Sequence, residues 1–186
     1  MTRAIVIGAS AGGVQALSWI LTALPPHFAH PILIVLHVPQ RNENPLIELL
    51  RLRCLLEVKE AEDKEALQQG TVYFAPPGYH LLLEKNMAIA LTSDEPVNYS
   101  RPAIDVLFET AADALGPELT GIVLTGANHD GAEGLRAIWA AGGTVIVQDP
   151  VTAEMPTMPR AALEACPAAR CLNIDEIVKY LRKEAA

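Results

Sequence analysis

The segment Ile32-Leu33-Ile34-Val35-Leu36 places five apolar residues in a row with no polar one between them. A strand with one wet face alternates apolar and polar residues, so an unbroken run suits a strand covered on both faces. Ile122-Val123-Leu124 has the same character. Strand-like segments over residues 3–8, 31–37, 71–75, 120–125 and 143–148 alternate with helix-like ones over 13–24, 45–50, 103–115, 132–141 and 174–183. This order predicts an α/β fold, a three-layer sandwich around a mostly parallel, doubly wound sheet. Residues 80–84 and 87–91 flank Lys85-Asn86, which predicts an antiparallel hairpin with a two-residue turn, inserted in or extending that sheet. Residues 93–100 and 149–159 read as loops.

At 186 residues the chain reads as one domain, long enough to bury a core without metals or disulfides. No apolar run approaches the roughly 18 residues of a spanning helix, and the N-terminus does not resemble a signal peptide. A cytoplasmic protein with no membrane insertion is expected. Cys54, Cys166 and Cys171 form neither an even set nor a C-x-x-C pair, and buried or partly buried thiols are the favoured reading. A net charge of −8 argues against a nucleic-acid partner, which needs a basic face.

The first strand-like run ends in Gly8-Ala9-Ser10-Ala11-Gly12-Gly13, which fits two chemistries. A dinucleotide fingerprint would need glycine where Ser10 stands and an acidic residue some twenty positions on, near Phe28 and His30. Neither is present, and no Gly-Lys-Ser/Thr triplet marks a phosphate loop. The alternative is G-x-S-x-G, which presents a serine on a sharp strand-to-helix turn. There the serine is expected in a strained backbone position, with the Ala11 N–H as first oxyanion donor and the following helix N-terminus favouring negative charge.

A serine nucleophile needs a base, and in an open parallel sheet the base should lie just past a strand. Among His27, His30, His37, His80 and His129, only His37 ends a strongly strand-like run; His27, His30 and His80 suit surface roles better. The base in turn needs an orienting acid. Asp130 follows the run over 120–125, although a helix N-cap would also explain it. Asp149, behind a strand but before Pro150, is the rival acid, and His129 is the rival base. Asp63, Asp94, Asp105 and Asp113 have no comparable placement. The resulting order Ser…His…Asp differs from the Ser…Asp/Glu…His of α/β-hydrolases.

These residues resemble a specific family, the catalytic domain of the chemotaxis receptor methylesterase CheB. The resemblance runs through residues 7–13, His37-Val38-Pro39, Val58-Lys59-Glu60-Ala61, Tyr73-Phe74-Ala75-Pro76, Ser100-Arg101-Pro102 with Asp105-Val106-Leu107-Phe108, Leu124-Thr125-Gly126 with Asp130-Gly131-Ala132, and Met158-Pro159-Arg160. It implies a triad of Ser10, His37 and Asp130, no cofactor or metal, and methylated chemotaxis receptors as partners. The implied reaction is hydrolysis of γ-glutamyl methyl esters, with deamidation of glutamine by the same apparatus. Ala127 stands where the family usually has an oxyanion-pocket methionine, and Val38 replaces a second methionine; a backbone N–H survives the first change. Arg101, Tyr79 and residues 155–160 are candidates for positioning the receptor helix. The family's N-terminal receiver domain has no counterpart, so residues 1–186 are expected to be a single catalytic domain. Other readings are a serine esterase with a different substrate, or an inactive partner- or nucleotide-binding domain.

Overall fold

The computed structural model describes residues 3–37 and 45–184. In chain order the elements are β1 Ala4–Ala9, α1 Gly13–Thr22, β2 Ile32–Leu36, α2 Pro45–Arg53, β3 Glu57–Glu60, β4 Thr71–Phe74, β5 His80–Leu83 and β6 Ile89–Thr92. There follow α3 Ile104–Leu115, β7 Leu119–Val123, α4 Ala132–Ala140, β8 Thr144–Gln148, α5 Thr157–Ala165, β9 Arg170–Leu172 and α6 Ile174–Glu184. Seven strands form one sheet in the order β3-β4-β2-β1-β7-β8-β9, with every pairing parallel. The α/β sandwich expected from the unbroken apolar runs is therefore the observed architecture.

The period of two along each strand feeds both faces of the sheet. Ile5, Ile7, Ile32, Ile34 and Ile122 face one core layer with α1, α2 and α6. Ala4, Val6, Leu33, Val35 and Val123 face the other, with α3, α4 and α5. Helix α3 buries Ile104, Leu107, Phe108, Ala111 and Ala112, the stripe that a 3.6-residue period aims at one side.

Four features depart from expectation. Strands β3 and β9 lie at the sheet edges, where exposed, charged residues hide the strand pattern: Glu57, Glu60, Arg170 and Cys171 are all exposed. Helix α5 begins at Thr157 and takes in the last three residues of the expected 149–159 loop. Pro159 sits in its first turn, where the missing N–H has no intrahelical partner to lose. The hairpin forms its own two-stranded sheet on the α3 side instead of joining the parallel one. Its turn has three residues, Lys85-Asn86-Met87, because Glu84 N donates to Ala88 O and Met87 takes a left-handed φ of 65°.

Helices α3 and α4 approach closely at Gly134, where an added Cβ would lie 2.5 Å from Phe108 Cβ and 3.0 Å from Asp105 Oδ1. Alanine gains roughly 1 kcal/mol of helix propensity over glycine. Overpacking against a β-carbon that cannot swing away costs about 1–3 kcal/mol. Gly134→Ala is expected to lower stability in urea denaturation, because the clash outweighs the propensity.

Candidate active site

Chain order in the sheet reverses beside β1, which has β2 on one flank and β7 on the other. Such a switch point leaves a crevice outside the carboxyl ends of the strands. Ser10 follows β1, His37 follows β2, and the loop ending in Asp130 follows β7. The chain turns into α1 through Gly12, whose φ of 81° is left-handed and whose Cβ would fall 2.8 Å from Glu154 Cβ. The residue with the unusual backbone is thus Gly12, and Ser10 is not among the positive-φ positions, contrary to the strained serine expected from the motif.

Thr125 ties the strand ends together. Its carbonyl accepts from Ser10 N at 3.0 Å, its hydroxyl donates to Ala11 O at 2.9 Å, and the same oxygen accepts from Met155 N at 2.9 Å. Its own N–H donates to Gln148 Oε1 at 2.8 Å. His37 N donates to Ala9 O at 3.0 Å, which places the histidine at the strand end beside the serine.

The structure brings His37 and Asp130 together. Nε2 lies 3.0 Å from Asp130 Oδ2, with the histidine 12% and the aspartate 0% exposed. Nε2 meets no acceptor in hydrogen-bond geometry among the described residues, so this is a close approach and not a formed hydrogen bond. On the other edge of the ring, Asn128 Nδ2 is 3.0 Å from Nδ1, and Asn128 Oδ1 accepts from Asp130 N. The Ser10 hydroxyl makes no hydrogen bond to His37, a spacing that free enzymes often close only around substrate.

Asp130 is held by two N–H groups at the start of α3: Ile104 N donates to Oδ2 at 2.6 Å and Asp105 N to Oδ1 at 3.1 Å. Asp105 returns the arrangement, its Oδ1 accepting from Gly131 N at 3.0 Å and Gly134 N at 2.7 Å at the start of α4. Each helix therefore has its first turn capped by the other's carboxylate. Burial alone would push the Asp130 carboxyl up, but the His37 ring and the N–H groups of Ile104, Asn98 and Asp105 outweigh it and hold it below the ordinary range. Burial, then repulsion from Asp130, pushes Asp105 up despite its own donors.

A family model described as CheB methylesterase matches residues 5–181. The chain belongs to the CheB methylesterase family. A Leptospira interrogans protein, whose name carries protein-glutamate methylesterase and protein-glutamine glutaminase activities, is 48% identical over 177 residues, covering 95% of this chain and 92% of that one. The Anaeromyxobacter dehalogenans protein-glutamate methylesterase/protein-glutamine glutaminase 2 is 41% identical over 179 residues, and this chain spans only 52% of its length. The crystal structure of the Thermotoga maritima CheB methylesterase catalytic domain has a TM-score of 0.93 and 34% identity, with 98% of each chain covered.

In this CheB-family chain, Ala11 and Ala127 are exposed, and no described residue accepts from either N–H. Val38 and Pro39 lie outside the described residues. Arg101 Nη1 donates to Ser93 O and Asp94 O and so holds a loop, while its buried Nε has no hydrogen-bond partner among the described residues. Tyr79 and Met155 are exposed, whereas Met158 and Pro159 are buried and unavailable to a partner. His80 is also buried, contrary to its expected surface role: Ala103 N donates to Nδ1 and Nε2 meets Glu95 O. Asp149 turns its carboxylate onto Val151 N, as a turn residue would, and His129 is exposed. Cys54 is partly buried and Cys166 buried, as expected, whereas Cys171 on edge strand β9 is exposed; desolvation is the largest cause pushing all three thiols up, which disfavours a nucleophilic thiolate. The sequence assigned no role to Asn128, Thr125, Asp105 or Asn98, although Thr125 and Asp105 stand within the stretches that carry the family resemblance.

Because Asp130 is depressed in the fold, its stabilising contribution is present above the unfolded carboxylate pKa and is lost as pH falls through its folded value. Asp105 has the opposite sign, costing stability while ionised and recovering it as pH falls through its raised value. Asp130→Asn should therefore cost about 2 kcal/mol near neutral pH. That deficit should narrow in acid, read by urea unfolding across pH.

Proposed function

We propose that the chain hydrolyses γ-glutamyl methyl esters on methylated chemotaxis receptors, as a single cytoplasmic catalytic domain. The observation that carries this reading is the buried, hydrogen-bonded Asp130 beside His37, at the strand end next to Ser10, in a CheB-family fold. With Asp130 at Nε2, the basic nitrogen is Nδ1, and Asn128 yields that position to the serine hydroxyl. Nδ1 takes the Ser10 proton as Oγ attacks the ester carbonyl, and the N–H groups of Ala11 and Ala127 receive the oxyanion. His37 protonates departing methanol, leaving an acyl-serine. Water, deprotonated at the same nitrogen, then releases the glutamate carboxylate and frees Ser10. A glutamine side chain would follow the same path with ammonia as leaving group. Arg101 and Tyr79 are the candidate contacts for the receptor helix.

Ser10→Ala in the purified protein is expected to reduce methanol release from methylated receptor by about a thousandfold or more. Release at the wild-type rate would sink the triad. Turnover of p-nitrophenyl esters with no release from receptor would instead identify an esterase of different specificity.

A further inference from the structure

Asn98 lies outside the strands and helices, in a tight turn where Val97 and Ser100 exchange backbone hydrogen bonds at 3.1 and 2.9 Å. Both central residues are left-handed, Asn98 at φ 52° and Tyr99 at φ 61°. Asparagine tolerates this region, but for tyrosine it is unfavourable, so the surroundings must hold the turn in place. Tyr99 stands fully in solvent, while Asn98, itself exposed, turns its amide nitrogen inward onto two carboxylates. Its Nδ2 donates to Asp130 Oδ1 at 2.8 Å and to Asp105 Oδ2 at 2.7 Å. Both neighbours are acceptors when ionised, which fixes the amide with its nitrogen inward.

Among the described residues, the titratable groups facing Asp130 are His37 from the end of β2 and Asp105 from α3; the Asn98 turn contributes a neutral donor. Two carboxylates bridged by one amide stand close enough to repel each other, and an amide hydrogen on each offsets this without adding charge. Asn98 also occupies Oδ1, leaving Oδ2 to face the histidine.

We propose that Asn98 is a positioning residue for the reaction, bridging Asp130 and Asp105 so that Asp130 stays ionised and aimed at His37. This rests on the triad reading above. Losing the bridge should let Asp130 accept a proton at higher pH and, while ionised, hold the protonated His37 ring more firmly, so activity disappears sooner on the acid side. A merely structural role would lower the amount of folded enzyme without moving that limb.

Asn98→Gly keeps the left-handed backbone and deletes the amide. The expected result is a kcat about tenfold lower with KM unchanged, and an acid limb of kcat/KM about one pH unit higher. Carboxyl-13C NMR should show Asp130 titrating upward in step. Asn98→Asp, similar in size but adding a third carboxylate, should move the limb at least as far. Tyr99→Gly relieves the other strained position and should leave the acid limb in place. A folded Asn98→Gly with the wild-type limb and Asp130 titration overturns the proposal; if it fails to fold, a wild-type limb in Asn98→Asp does so. In the unsubstituted protein the Asn98 side-chain amide resonances should follow Asp130 protonation, and resonances that ignore it also overturn the proposal. Wild-type activity in Ser10→Ala and His37→Gln would instead remove the triad reading, while the Asp130 titration would still report on Asn98.

Discussion

The crossed caps between α3 and α4 are the constraint on which the rest of the site depends. A carboxylate with no solvent exposure is costly unless donors surround it, and here the donors are the unsatisfied N–H groups of a helix that must itself be capped. Asp130 and Asp105 each solve the other helix's problem. The geometry works only because Gly134 lets α4 lie close against α3. Packing and electrostatics are therefore one problem at this point. The same contact that closes the second core layer also fixes the carboxylate facing His37.

A second tie is neutral. Thr125 and Gln148 join the ends of β1, β7 and β8 through backbone groups that strand pairing leaves open. Parallel strands stop pairing at their carboxyl ends, so each loop there arrives with unsatisfied N–H and C=O groups. The buried threonine and glutamine supply the partners and keep the serine loop at a fixed place beside the histidine strand. The place of Ser10 beside His37 thus rests on a short list of buried polar residues at the strand ends.

Much of the architecture was legible in the residues because its cause is local. Unbroken apolar runs mark the central strands, and the 3.6-residue stripes mark five of the six helices. Legibility fails where the environment overrides the pattern: edge strands β3 and β9 carry charge because one side is wet, and α5 starts with prolines that resemble a loop. Ser10, His37 and Asp130 could be selected because each follows a strand, a rule about position in the sheet. Asp105 and Asn98 could not, since one looks like an ordinary helix residue and the other like loop polarity. His80 was misplaced for a similar reason, as a histidine opening a hairpin shows nothing of the backbone N–H and C=O that bury it.

The sequence by itself determined the parallel α/β sandwich, the glycine turn after β1 and the residue types available at the strand ends. Those follow from side-chain periodicity and backbone freedom, which neighbours along the chain settle. Only the tertiary structure decided the partners: Asp130 with His37, Asn98 between two carboxylates, and each helix capped by the other. Those contacts join residues far apart in sequence. Their energies depend on burial and on donors that exist only once α3 and α4 have packed.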